Sequence, residues 1–86
     1  MAKKIQGLEA RKKFYEQLAN KELTLAETVK DMRAIVGMTQ TEYAKFVGFA
    51  PRIIIDLERG VANPTLETLR KIGKPFRLDI FYCESK

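Results

Sequence analysis

Residues 39–60 read TQTEYAKFVGFAPRIIIDLERG, and the parsing of this stretch decides the fold. Thr39 and Glu42 have the Thr-x-x-Glu spacing of a capping box, in which hydroxyl and carboxylate satisfy otherwise unpaired amides of a first helical turn. Met38 stands where it could staple against Tyr43. A short helix, Gln40–Val47, is predicted to follow and to end at Gly48. Pro51 then opens a second helix at a first-turn position, where its missing N–H costs nothing. That helix runs to Arg59 and stops at Gly60. Two helices of about eight residues are too short to be stable alone, so packing at a steep angle must hold them. Ala44, Val47, Ile54 and Leu57 have the spacing to bury on a shared inner side. Pro51, Arg52, Ile53, Ile55, Asp56 and Arg59 are left pointing outward.

Outward from this pair, glycine and proline divide the chain into further short segments. Leu8–Ala19 carries Leu8, Arg11, Phe14, Tyr15 and Leu18 at i, i+3, i+4 spacing and reads as a helix. Leu25–Val36 is a second, with a capping box at Thr24 and Glu27 and a left-handed stop at Gly37. Asn63-Pro64-Thr65 starts another, with Leu66, Leu69 and Ile72 on one face and Gly73 and Pro75 at its end. The period then changes. Leu78, Ile80 and Tyr82 alternate with Arg77, Asp79, Phe81 and Cys83, which predicts a strand over Leu78–Glu84. A lone strand cannot satisfy its own backbone groups, and the cheapest partner is the same segment of a second chain across a two-fold axis. Leu78, Ile80, Phe81 and Tyr82 are the expected dimerisation residues.

The bulk properties narrow the function. Eighty-six residues with 45% hydrophobic content make one folded domain. No apolar run approaches the ~18 residues of a membrane span, and Met1–Gly7 lacks the apolar stretch of a signal peptide. A cytoplasmic protein without membrane contact is expected. One cysteine, Cys83, and no histidine argue against an internal disulfide and a zinc site. The only serine is Ser85, the carboxylates are scattered among basic residues, and there is no glycine-rich phosphate loop. Neither an enzyme nor a cofactor or metal site is expected. The net charge of +5 suggests a polyanion partner, and six basic against two acidic residues in Met1–Lys21 concentrate it near the start.

The run Met38-Thr39-Gln40, Ala44, Val47-Gly48, Ile54, Leu57-Glu58-Arg59-Gly60 and Asn63-Pro64-Thr65-Leu66-Glu67-Thr68-Leu69 resembles the lambda-repressor-like (Xre) helix-turn-helix family. The resemblance covers roughly Thr24–Ile72. It implies an all-α, five-helix fold that binds double-stranded DNA, usually as a dimer on a two-fold-symmetric operator. The expected architecture is that domain with an extra N-terminal helix and a short C-terminal β-strand pairing across a dimer. The expected division is a basic helical extension at 1–23, a helix-turn-helix domain at 24–76 and a dimerisation strand at 77–86.

Carried over to this chain, the resemblance implies a DNA-facing set of Thr39, Gln40, Tyr43, Ala50, Pro51, Arg52, Ile53, Ile55, Asp56 and Arg59. Gln40 would contact a phosphate, helped by the amides at its helix end. Arg52 stands at a base-reading position and could pair bidentately with guanine. Asp56, one turn on, could accept from a cytosine amino group or orient Arg52. Arg33 and Glu58 match a structural ion pair that ties one helix to the recognition helix. The chain also departs from the family pattern. Ala50 replaces a capping Ser or Thr, and Pro51 a polar contact. Ile53 and Ile55 could meet thymine methyl groups or a protein partner. Ile35, Val36 and Phe46 are apolar where the family is polar, and Phe14, Tyr15 and Leu18 of the N-terminal helix are expected to cover them. The tail resembles the C-terminal strand of HipB-type antitoxins. Two functions compete: a sequence-specific homodimeric repressor on an inverted-repeat operator, and an antitoxin that neutralises a cognate toxin and represses its own operon. A monomeric protein-binding module is the third.

Overall fold

The computed structural model describes the backbone of residues 2–80 and the side chains of residues 8–80. Five α-helices follow one another: α1 (Ala2–Ala19), α2 (Leu25–Ile35), α3 (Gln40–Val47), α4 (Pro51–Glu58) and α5 (Leu66–Gly73), then one 3-10 turn, Lys74–Phe76. The all-α reading holds. The N-terminal helix is the first of the five rather than an addition to them, and its backbone is helical from Ala2, earlier than the predicted Leu8.

Local chemistry sets the boundaries. Thr24 accepts from the Glu27 N–H and Glu27 from the Thr24 N–H, and Thr39 and Glu42 repeat the arrangement, so both predicted capping boxes form. Thr65 caps α5 by accepting from the Thr68 N–H. The exits are equally uniform. Residues 21, 37, 48, 60 and 77 all have positive φ. Each donates its N–H to the carbonyl three residues back, and the next residue donates to the carbonyl five back. This is the Schellman reversal, and glycine is its usual left-handed residue. Here Gly48 (φ 89) follows that preference while Arg77 (φ 56) does not.

Every helix contributes to one core. Phe14, Val29, Met32, Tyr43, Ala44, Ile54, Leu57, Ile72 and Phe76 are buried together. Their removal from water supplies the main drive for holding helices as short as α3 and α4. α1 is fastened at its middle to the chain's far end. Phe14 meets Phe76 edge-on with ring centroids 5.5 Å apart, the Arg11 guanidinium lies 4.6 Å from the Phe76 ring centroid, and the Tyr15 hydroxyl donates to the Phe76 carbonyl at 2.8 Å.

Two expectations are corrected. No strand occurs among the described residues, and Leu78–Ile80 is irregular. Phe81, Tyr82, Cys83 and Glu84 lie outside the described residues. The physical reason is that Arg77 turns the chain back. The Leu78 N–H goes to the Gly73 carbonyl at 3.1 Å, and its side chain packs against the core. Its fit is close: a Cβ on Gly73 would lie 3.1 Å from the Leu78 Cβ. Asp79 then takes the Ile80 N–H at 2.7 Å and the Arg70 Nε–H at 2.9 Å. The donors of Leu78 and Ile80 that a ribbon would share are thus used inside the chain, and the pairing inferred from the strand falls with it. Secondly, Phe46 is not covered by α1: it stays 56% exposed, while Ile35 and Val36 are packed against the core.

Candidate nucleic-acid interface

The turn Gly48–Ala50 joins α3 to α4, and the two helices bury Ala44, Ile54 and Leu57 between them and their neighbours, with Val47 half-buried at the edge. A polar lock then fixes their orientation. Arg33 on α2 donates through Nε to Glu58 Oε2 at 2.8 Å and through Nη2 to Oε1 at 3.1 Å. Its Nη1 donates to the Met38 carbonyl at 3.1 Å, and Gln40 Nε2 donates to Glu58 Oε1 at 3.2 Å. The Glu58 carboxylate at the end of α4 therefore gathers α2 and the first residue of α3, while the Arg33 guanidinium also holds the turn before α3. The Glu58 side chain is only 4% exposed and that of Arg33 23%. Hydrogen bonding to Glu58 pushes the Arg33 guanidinium above its already high pKa, so the guanidinium stays charged at every physiological pH.

The pair of Arg33 and Glu58 was legible in the sequence, whereas the bonds from Gln40 and to Met38 were not. Both partners lie within two residues of the capping Thr39, and only the turn after α2 brings them beside Arg33. The Gln40 amide has two N–H donors, and Glu58 uses one of them, which fixes the amide and leaves the second pointing elsewhere.

The remaining predicted residues divide by exposure. Thr39, Ala50, Pro51, Arg52 and Arg59 are exposed, and Ile55 and Asp56 are half-buried. Ile53 is half-buried and packs against the core. Tyr43 lies in the core: it has no exposed surface, and its hydroxyl donates to the Ile72 carbonyl at 2.7 Å. From there its side chain reaches no other molecule. Among the described residues no ion pair joins Arg52 to Asp56. Ala50 gives α4 no side-chain cap, so Pro51 opens a helix end whose outer surface is bare. The arrangement is a rigid frame presenting one exposed guanidinium, Arg52, in the first turn of α4. Among the described residues no cluster of His, Cys, Asp and Glu is placed to hold a metal, and no helix is long and apolar enough to cross a membrane.

Comparison with known proteins agrees with this geometry. The helix-turn-helix family model matches residues 29–83, more than half of the chain. Two uncharacterised HTH-type transcriptional regulators of Archaeoglobus fulgidus are 42% identical over 52 residues, 60% of this chain and 74% and 73% of theirs. Antitoxin HipB of Escherichia coli K12 is 36% identical over 62 residues, 72% of this chain and 70% of its own. No solved structure matches the chain. The chain belongs to the helix-turn-helix family of DNA-binding transcriptional regulators and antitoxins. Regulators of this family are not catalysts.

Proposed function

We propose that this protein is a sequence-specific, homodimeric transcriptional repressor that acts in the cytoplasm on an inverted-repeat operator. α4 enters the major groove. Arg52 reads a guanine there, Asp56 and Ile55 contact neighbouring base edges, and Pro51, Ala50 and Arg59 line the approach to the duplex. Gln40, beside Thr39, gives its free N–H to a phosphate. The observation that carries this reading is Arg52: it is exposed in the first turn of a helix whose orientation the Arg33–Glu58–Gln40 lock fixes. Two copies would set their α4 helices one DNA turn, about 34 Å, apart.

The test is binding to the chain's own upstream DNA at two salt concentrations. Specific binding weakens steeply with salt. Arg52→Ala loses about 1–3 kcal/mol of discrimination between operator and non-operator DNA, whereas Gln40→Ala weakens both alike. Salt-insensitive binding, or an Arg52→Ala variant with unchanged discrimination, overturns the reading. The likeness to antitoxin HipB favours a second reading, in which the chain also binds and neutralises a cognate toxin and represses the operon encoding both. An adjacent toxin-like reading frame, and rescue of growth when the two are co-expressed, distinguish it.

A further inference from the structure

At the end of α3 away from Gln40, the surface is concave. Phe46, Val47 and Gly48 face Lys71, Lys74 and Pro75 across an open groove of about 400 Å³. With a rise of about 1.5 Å per residue, Phe46 stands roughly 9 Å along α3 from Gln40. The groove is therefore separate from the phosphate-facing helix start.

Its chemistry is mixed. Phe46 is 56% exposed and leans on the Tyr43 ring, with centroids 6.1 Å apart, so its inner edge is fixed and its outer face open. Lys71 sits with Nζ 5.8 Å from the Phe49 ring centroid. Neither lysine is in an ion pair among the described residues. Lysines at the end of α5 complement the helix dipole there, which accounts for their charge. It does not account for a half-exposed phenylalanine and a proline forming the floor between them. A duplex backbone offers phosphates and sugar edges but no apolar side chain that could fill that floor.

We propose that this groove docks a segment of a partner protein in which an apolar or aromatic side chain lies beside Asp or Glu. The apolar group covers Phe46, Val47 and Pro75, and the carboxylates face Lys71 and Lys74. The proposal goes beyond DNA binding and leaves the exposed face of α4 free, so partner and DNA occupy different surfaces.

The experiment is a titration of the full, isotopically labelled chain with the blocked synthetic peptide EDFLDE, followed by amide NMR shifts. Saturable shifts centred on residues 46–48 and 71–75 are expected. Phe46→Ala, or the double change Lys71→Gln with Lys74→Gln, should each weaken binding about tenfold. All three positions are exposed, so the variants retain the fold, which their unperturbed spectra check. Absence of saturable shifts, shifts centred on Arg52, or equal binding of EDAADE overturns the proposal. So does operator DNA that moves the 46–48 and 71–75 resonances, because the groove would then be a phosphate contact.

Discussion

The start of α3 and the chain beyond α5 are both held against the rest of the molecule, but by opposite kinds of force. At α3 the fastening is polar: Arg33 and Gln40 both donate to the Glu58 carboxylate, and Arg33 also donates to the Met38 carbonyl, each with a defined direction. Beyond α5 it is mainly apolar: Phe76 is buried against Phe14 and Leu78 lies over Gly73, with the Tyr15 hydroxyl adding one bond to the Phe76 carbonyl. A desolvated ion pair adds little net stability, because attraction roughly offsets the loss of hydration, yet it is directional. Burial of an aromatic side chain adds much stability and specifies orientation less sharply. The helices expected to meet DNA are oriented by the first, and the molecule is kept folded largely by the second.

The largest effect should therefore come from the apolar fastening beyond α5 rather than from the side chains proposed to face DNA. Phe76→Ala should cost about 3–5 kcal/mol, as for other buried aromatics, measured by urea unfolding. Amide exchange in α1 should accelerate along with it, since Phe14 loses its partner. Next comes Glu58→Ala, which strands the Arg33 guanidinium. Because Arg33 is partly exposed, about 2–3 kcal/mol is expected, below the range for a fully buried pair. Arg33→Met with Glu58→Leu should recover much of that stability and still bind operator DNA poorly. A double variant that regains full specific binding would show that packing alone orients α4, and the contrast between the two fastenings would collapse.

The same contrast explains what the sequence could reveal. Thr24, Glu27, Thr39, Glu42, Gly37, Gly48 and Gly60 act through neighbours three to five residues away, so their spacing encodes the helix ends, and the bonds form as read. Arg33 and Glu58 were legible because the family pattern carries them. Tyr43 was misplaced because one turn of a short helix does not say which face is inward; the hydroxyl's partner, Ile72, is 29 residues distant. The tail was misread for a related reason. Alternation at Leu78 and Ile80 has the period of a strand, while the event that governs them is a left-handed Arg77, a conformation that leaves no mark in residue type. The all-α layers and the α3–α4 pair were thus visible from local rules. The docking of α1 on Phe76 depended on contacts far apart in the chain.

Tyr43 bridges the two regions, joining α3 to the Ile72 carbonyl at the end of α5, and gives a pH test. Burial pushes its hydroxyl from 10.0 up to about 12. Between those values the unfolded chain loses the proton while the folded chain keeps it, so stability falls as pH rises from about 10 to about 12. The loss attributable to this residue is up to roughly 3 kcal/mol. Tyr43→Phe removes the ionising group and should flatten that part of the curve, although it begins lower by about 1 kcal/mol for the lost hydrogen bond. Parallel alkaline unfolding curves for the two proteins would exclude the effect.

The smallest effect addresses the reversal itself, because Gly48 and Arg77 close the same hydrogen-bonded motif with different residues. A Cβ at Gly48 meets nothing within 4 Å, so Gly48→Ala isolates the conformational penalty of φ 89, roughly 1–2 kcal/mol. Arg77 already bears that penalty. Arg77→Gly relieves it but makes the unfolded chain more flexible, which returns about 0.4–1 kcal/mol, leaving a net gain of about 0.5 kcal/mol. Arg77 is exposed and forms no ion pair among the described residues, so little else should change. A stabilised Arg77→Gly variant, read from its urea midpoint, would mean that the backbone turn holds Leu78 over Gly73. Destabilisation would mean that the arginine side chain does so, and the two reversals would then share geometry without sharing a cause.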